Sequence, residues 1–335
     1  MDAAKPEPSE KFPETGRAAV PNWPYALFIE GTNACSAACV FCAYPQMERP
    51  KLSMPMELFK NVVDQYLAMG HGDVDLTPIV GDPFMDEHLF ERLDDLRARP
   101  GVERYHFYTN AILMDEPAVA RLSGHGARLQ IYCSFGGFDR AAYRRIMGVD
   151  KFDAAAANIR RLVDRKISDG SEIRIQIELR SPESDRKGEF WDYLRRRQAE
   201  GAVHLAAADG YDNWGGRIAE TRLRASGLDA KALRARRGPC HRLLGGPMIL
   251  ADGRVNACPC RDVEATLVIG DLKNQPLKEI LSGPAFKALV DRQAAGDFPE
   301  ACKDCTHYEP GYPDWQRRHG WRMQAAAASL LRHGV

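Results

Sequence analysis

Residues 25–42 read YALFIEGTNACSAACVFC: a short apolar run to Glu30, a polar turn, and cysteines at 35, 39 and 42. The run Tyr25 to Glu30 has the length and content of a buried strand. Three thiols within eight residues are too closely grouped to be scattered packing cysteines. Thiolates at these spacings, with no fourth cysteine nearby, suit an iron–sulfur cube that has three irons tied to protein and the fourth open to a small molecule. Zinc is the competing reading. A closed structural zinc site wants four ligands, and the nearest imidazole in sequence, His71, lies outside the loop.

The rest of the composition narrows the class. The chain has 335 residues, 46 Lys+Arg against 46 Asp+Glu, and nine cysteines. Zero net charge gives no global basic surface for nucleic acid or anionic lipid, so neither partner is expected. No run of about 18 apolar residues exists, which excludes a spanning helix. Residues 1–22 are rich in Pro, Glu, Lys and Ala and lack the apolar stretch of a secretory signal; they predict a disordered tail on a cytoplasmic protein. An odd cysteine count in such a chain argues against a disulfide framework. Cys133 stands alone and reads as a packing thiol. Cys240, Cys258, Cys260, Cys302 and Cys305 form a second group.

Downstream of the first group, two periodicities alternate. Ser53 before Met54-Pro55 is a helix start, and Phe59, Val62, Val63, Tyr66 and Leu67 recur at three and four, which predicts a helix over 54–69. Strands are expected at 73–80, 104–109, 128–134, 172–180 and 202–208, with helices at 86–98, 115–123, 138–147, 154–168 and 184–200. Six strands alternating with helices predict a parallel α/β sheet with right-handed crossovers. Site residues in such sheets lie at the C-terminal strand ends, where the cysteine loop and Gly81-Asp82-Pro83 fall. In 172–180, Ile173, Ile175, Ile177 and Leu179 alternate with Arg174, Gln176, Glu178 and Arg180. Period two separates the faces, so this polar row predicts either a wet lumen for a polar ligand or a charged edge strand. Glu30 and Thr77 are candidates for the same lumen, and by parity Ser134 faces opposite to Cys133.

In the C-terminal third, the charged, Ala/Arg-rich stretch 217–238 reads as a helical connector. Residues 247–258 read as a β-hairpin around Asp252-Gly253. That hairpin can aim Cys258 at a site shared with Cys240, Cys302 and Cys305, and four thiolates suit either zinc or a second cluster. Cys260, two positions later, has three open readings: a ligand in place of Cys258, a structural thiol, or a hydrogen-atom donor. His241 reads as a packing or supporting imidazole.

Cys-x3-Cys-x-Phe-Cys after an apolar strand resembles the radical S-adenosylmethionine (SAM) superfamily. That resemblance implies a 4Fe-4S cluster on Cys35, Cys39 and Cys42 whose open iron holds SAM, and a 5′-deoxyadenosyl radical formed on reduction. It places Phe41 beside the adenine. It places Gly81, Asp82 and Pro83 at the motif whose backbone holds the SAM amino group, although Asp82 departs from the commoner forms. Thr109, Asn110, Ser134 and Arg180 become candidates for contact with SAM or the lumen. Cys240, Gly253-x4-Cys258 and Cys302-x-x-Cys305 are similar to the Twitch, or shortened SPASM, domain, which implies a second, auxiliary 4Fe-4S cluster. The longer SPASM form needs three more cysteines than this chain has. Asp212-Asn213-Trp214-Gly215-Gly216 resembles a phrase of SPASM-type proteins at the barrel exit.

The implied architecture is a six-stranded partial (β/α) TIM-like barrel over 23–216, a connector at 217–238, a small cysteine-rich Twitch/SPASM-like domain over 239–312 and a helix over 313–335. The spacings resemble enzymes of the 2-deoxy-scyllo-inosamine dehydrogenase type. They imply oxidation of a secondary alcohol on a small-molecule sugar or aminocyclitol in natural-product biosynthesis, with Glu178, Glu30 or His204 as base and an external electron donor such as flavodoxin or ferredoxin. A redox-neutral epimerase, dehydratase or decarboxylase is the alternative, with Cys260 as hydrogen donor in the epimerase case. Modification of a ribosomal peptide ranks third, because the short N-terminal segment leaves no room for a peptide-recognition domain.

Overall fold

The protein was analysed as a computed structural model that describes residues 26–70 and 72–310. The expected tail 1–22, His71 and the expected helix 313–335 lie outside the described residues. One nine-stranded sheet organises the chain: β1 (Leu27–Ile29), β2 (Asp73–Asp75), β3 (Arg104–Thr109), β4 (Leu129–Phe135), β5 (Arg174–Leu179), β6 (His204–Ala207), β7 (Met248–Ile249), β8 (Arg254–Asn256) and β9 (Val268–Asp271). Its order is β6-β5-β4-β3-β2-β1-β7-β8-β9. The first six strands pair in parallel with their sequence neighbours, which gives the open partial barrel expected from the alternation of periods.

Helices α1 (Met56–Ala68), α2 (Leu89–Ala98), α3 (Glu116–Ser123), α4 (Arg140–Met147), α5 (Phe152–Ser168) and α6 (Glu189–Ala199) make the crossovers. Their starts are written locally. The Asp115 carboxylate accepts from Ala118 N at 3.0 Å, and that of Asp139 from Ala142 N at 2.8 Å, so each satisfies an N–H that the first turn leaves orphaned. The strand faces divide by parity. Tyr105, Phe107, Ile131, Cys133, Phe135, Ile175 and Ile177 are buried in the core, and Cys133 sits in that apolar row as expected. β5 lies between β4 and β6, so the edge-strand reading of its polar row does not hold.

Three expectations need correction. The strand expected over 73–80 ends at Asp75, because the Asp75 carboxylate turns back to accept from Thr77 N at 2.7 Å and Pro78 follows. The connector is not helical throughout. Only α7 (Glu220–Ala225) forms, since the stretch carries no sustained apolar stripe and Gly227 takes a left-handed φ of 76°. The hairpin forms, but it is not separate from the barrel: β7 pairs in parallel with β1, with Phe28 opposite Met248 and Ile29 opposite Ile249, and β8 and β9 extend the sheet antiparallel. Helix α8 (His241–Gly245) precedes β7, and α9 (Leu277–Ser282), α10 (Pro284–Ala294) and α11 (Glu300–Lys303) follow β9.

One buried ion pair braces the sheet's active end. Arg92 on α2 meets Asp86 at 2.7 Å, both side chains are almost wholly enclosed, and the guanidinium also donates to the Met54 carbonyl. Gly31 packs directly on that pair, where a Cβ would strike the Asp86 carboxylate. Among the described residues no helix is long and apolar enough to cross a membrane.

Candidate active site and second cysteine centre

The first cysteine loop leaves the C-terminal end of β1 and is tied down on both flanks. Thr32 Oγ1 donates to the Leu52 carbonyl at 3.0 Å, and Asn33 bonds the backbone at Pro50 and Leu52 at 2.9 and 2.8 Å. In its middle, Ala38 N and Val40 N donate to the carbonyls of Met147 and Ile146, the last residues of α4. Gly148 makes this docking possible. It ends α4 at φ 73°, and a Cβ there would overlap the Ala38 carbonyl. Gly148→Ala is therefore expected to displace the loop and lower the iron bound there after reconstitution, with the second centre unaffected; iron and sulfide assays check this.

The pKa of each of the three loop thiols is raised. Burial, then the Asp82 carboxylate, pushes Cys35 up to about 12. Burial, then Cys42 and Cys35, pushes Cys39 well up, and burial pushes Cys42 up to about 11. Free thiols here stay protonated, so a bound cation is what would convert them to thiolate ligands. Among the described residues no three His, Cys, Asp or Glu side chains close in tightly enough to grip one ion. Three thiols on one loop are the donor set that a four-iron cluster with one open iron would take.

The expected SAM-side residues fall into two groups. In the first, Gly81 takes φ 139° where a Cβ would crowd the Thr32 carbonyl, and Asp82 N donates to Ala34 O at 2.8 Å. The Asp82 side chain is enclosed and accepts from Thr109 Oγ1 at 3.0 Å, Asn110 N at 2.7 Å and Phe84 N at 3.0 Å. Burial raises its pKa against these bonds. Its work is to tie the loop after β2, Pro83 included, to the end of β3. Asn110 Nδ2 reaches Ser36 Oγ at 3.1 Å and carries that tie into the cysteine loop.

In the second group, Arg180 follows β5 and stands 3.6 Å from the Glu178 carboxylate, 3.4 Å from Ser134 Oγ and 5.7 Å from the centre of the Phe41 ring. Gln176 Nε2 donates to the other Glu178 oxygen at 2.6 Å. Registered alongside on the same face are Tyr132, stacked on Tyr108 at 4.3 Å, and His106, 3.1 Å from Asp75. The polar face read from β5 thus continues across β4 and β3. Two other lumen candidates are occupied elsewhere. Glu30 is buried in a two-pronged pair with Arg49 at 2.8 and 2.9 Å, and Thr77 Oγ1 accepts from Tyr108 N at 3.1 Å. His204 is exposed at the start of β6.

The five remaining cysteines, Cys240, Cys258, Cys260, Cys302 and Cys305, line one cavity. Gln293 on α10, fully buried, accepts from Cys240 N at 2.8 Å and donates to the Cys302 sulfur at 3.5 Å; its sequence neighbourhood gave no sign of this role. Cys258 and Cys260 interact more strongly with each other than with any other group. That interaction, then burial, pushes Cys258 well up; the same interaction pulls Cys260 down against the effect of burial. Burial raises Cys240 and Cys302, and raises Cys305 to about 11. Five thiols from three segments of the chain supply more than the four donors a second cluster would take.

The Asp212–Gly216 phrase touches both centres. Trp214 Nε1 donates to the Phe41 carbonyl at 2.7 Å, inside the first loop. Asp212 pairs with Arg261 at 2.6 and 2.8 Å, and Asn213 bonds Thr306 and Asp304 beside Cys305. Burial opposes ionisation of Asp212, but Arg261 holds its pKa down at about 2.

Comparison with known proteins agrees with this arrangement. The radical SAM superfamily model matches residues 29–177, and the SPASM iron–sulfur cluster-binding domain model matches residues 240–306. A crystal structure of BtrN in complex with AdoMet and 2-DOIA superposes with a TM-score of 0.55 at 15% identity, covering 84% of this chain and 92% of that one. Native anSMEcpe with bound AdoMet gives 0.53 at 14% identity, covering 92% and 98%, and the same protein with AdoMet and the Cp18Cys peptide gives 0.51 at 15% over the same shares. At such identities the likeness is one of fold. No curated protein matches the chain.

Proposed function

We propose, from the premise that this chain is a radical SAM enzyme carrying a SPASM domain, that it oxidises a secondary alcohol of a sugar or aminocyclitol. When bound, the cofactors of such an enzyme supply a 5′-deoxyadenosyl radical and, at the auxiliary cluster, an acceptor for one electron. Cys35, Cys39 and Cys42 would hold the first cluster, and Cys240, Cys302, Cys305 and the Cys258–Cys260 turn the second. A small one-electron protein, flavodoxin or ferredoxin in type, would serve as reductant. The proposed division keeps a barrel at 23–216, a connector at 217–238 and a cysteine-rich part at 239–312, with β7 of the last part lying in the barrel's sheet.

The observation that carries the reading is the polar wall of Ser134, Gln176, Glu178 and Arg180. Donors and acceptors held at fixed spacing suit a ring bearing several hydroxyl or amino groups better than an apolar substrate. Glu178 would take the hydroxyl proton. Gln176 and Arg180 each address one of its oxygens and so fix its direction, whereas Glu30 is committed to Arg49. The BtrN structure, solved with AdoMet and 2-DOIA, is consistent with a lumen of this kind.

The test is anaerobic turnover of the reconstituted chain with a panel of aminocyclitols and sugars. A substrate should yield a ketone lighter by two hydrogens, and deuterium placed on the carbinol carbon should appear in 5′-deoxyadenosine. Product of unchanged mass with solvent deuterium on carbon would replace this reading by epimerisation, and stimulation by a peptide alone would replace the substrate class. Glu178→Gln is expected to slow ketone formation by about 10²–10⁴-fold while SAM cleavage without substrate persists.

A further inference from the structure

We propose that Cys258 and Cys260 are alternative ligands for a single corner of the auxiliary cluster. The inference rests on the second cysteine centre holding a four-iron cluster. Such a cluster has four corners, and five sulfurs line the cavity. Three of the five come from places that cannot substitute for one another. Cys240 caps the start of α8, Cys302 lies in α11, and Cys305 lies beyond its end; Gln293 fixes the first two through bonds to Cys240 N and the Cys302 sulfur. The fourth corner falls to the Cys258-Pro259-Cys260 turn.

That turn presents two sulfurs, not one. Cys258 and Cys260 both line the cavity, and the backbone bends at Pro259 and Cys260. With the other three corners taken, the two sulfurs, two residues apart on one cavity wall, compete for a single corner. The backbone is held on both sides of Pro259. Asn256 Nδ2 donates to the Cys258 carbonyl at 3.0 Å and Arg261 Nη1 to the Cys260 carbonyl at 2.6 Å, with Arg261 itself clamped by Asp212. A turn restrained in this way, with both thiols on one cavity, lets either of them ligate after a side-chain rotation. The choice has an electrostatic consequence. The Arg261 guanidinium sits against Cys260, donating to its carbonyl at 2.6 Å, whereas the Cys258 carbonyl accepts from the neutral Asn256 amide at 3.0 Å. A cluster anchored through Cys260 accepts an electron more readily than one anchored through Cys258.

The experiment uses the full chain with Cys35, Cys39 and Cys42 changed to alanine, so that iron reports the second centre alone. After anaerobic reconstitution this parent should hold about four irons per chain. Adding Cys258→Ala or Cys260→Ala should leave that value unchanged, and adding both should reduce it to near zero. Potentiometric titration followed by electron paramagnetic resonance should give the Cys258→Ala form the higher midpoint potential. Loss of iron in either single variant, or its retention in the double variant, overturns the proposal. A parent without iron would instead overturn the cluster reading beneath it. Serine versions of the same substitutions, with circular dichroism and gel filtration on every form, separate ligand loss from misfolding.

Discussion

Cys39→Ala is expected to abolish 5′-deoxyadenosine formation, by at least about a thousandfold under a strong reductant, and to lower the iron of the reconstituted chain from about eight to about four per molecule. The size of the effect follows from the absence of a replacement. The loop offers three thiols for three corners, and its backbone is pinned through Ala38 and Val40 to the end of α4. Cys133 is fully buried in the apolar row of β4 and cannot reach the loop face. No ordinary side chain supplies the electron-transfer chemistry in its place. Chromatography of the quenched reaction measures the loss, and persistence of SAM cleavage in this variant would remove the basis for assigning these ligands.

Asp86→Ala is expected to cost about 3–5 kcal/mol of unfolding free energy, the largest stability effect of any single side chain considered. The Arg92 guanidinium is almost wholly enclosed, and its charge is answered by Asp86 alone among the described carboxylates, at 2.7 Å. Removing the carboxylate leaves a buried cation and frees His88 N, which Asp86 caps at 3.1 Å. Asp86→Asn should lose less, because an amide oxygen can still accept from both groups. Urea unfolding of the two variants beside the parent gives the comparison, and a loss below about 1 kcal/mol in the alanine form would mean that water reaches Arg92.

What could be read in the residues, and what could not, divides along sequence distance. The helices at 54–69 and 154–168 and the alternation of Ile175, Ile177 and Leu179 with Gln176 and Glu178 are local periodic signals, and the elements appear where those signals lie. The cysteine loop is legible for the same reason, since its spacing is complete within eight residues. The partner of Glu30 was not legible, because Arg49 returns to it only through the fold of the intervening loop. Asp82 is legible only as part of a motif expected to hold SAM through its backbone; that its carboxylate ties Thr109 and Asn110 together appears only in the fold. Gly148 and Gln293 belong to the site only through contacts with Ala38, Cys240 and Cys302, and no local pattern marks either. The helical expectation for 217–238 fails differently: Ala and Arg favour helix, but without an apolar stripe to bury there is little to hold one.

The pairing of β1 with β7 has a consequence for how the chain comes to be folded. Phe28 finds Met248 only after about 220 further residues have emerged, which at ribosomal rates of about 5–20 residues per second is roughly 10–40 s. Throughout that interval one side of the first strand, the strand that launches the cysteine loop, is an open template for pairing with other nascent chains. Slow translation or premature termination before residue 248 should therefore favour aggregates, and overproduction at low temperature with chaperones should raise the yield of material able to accept iron.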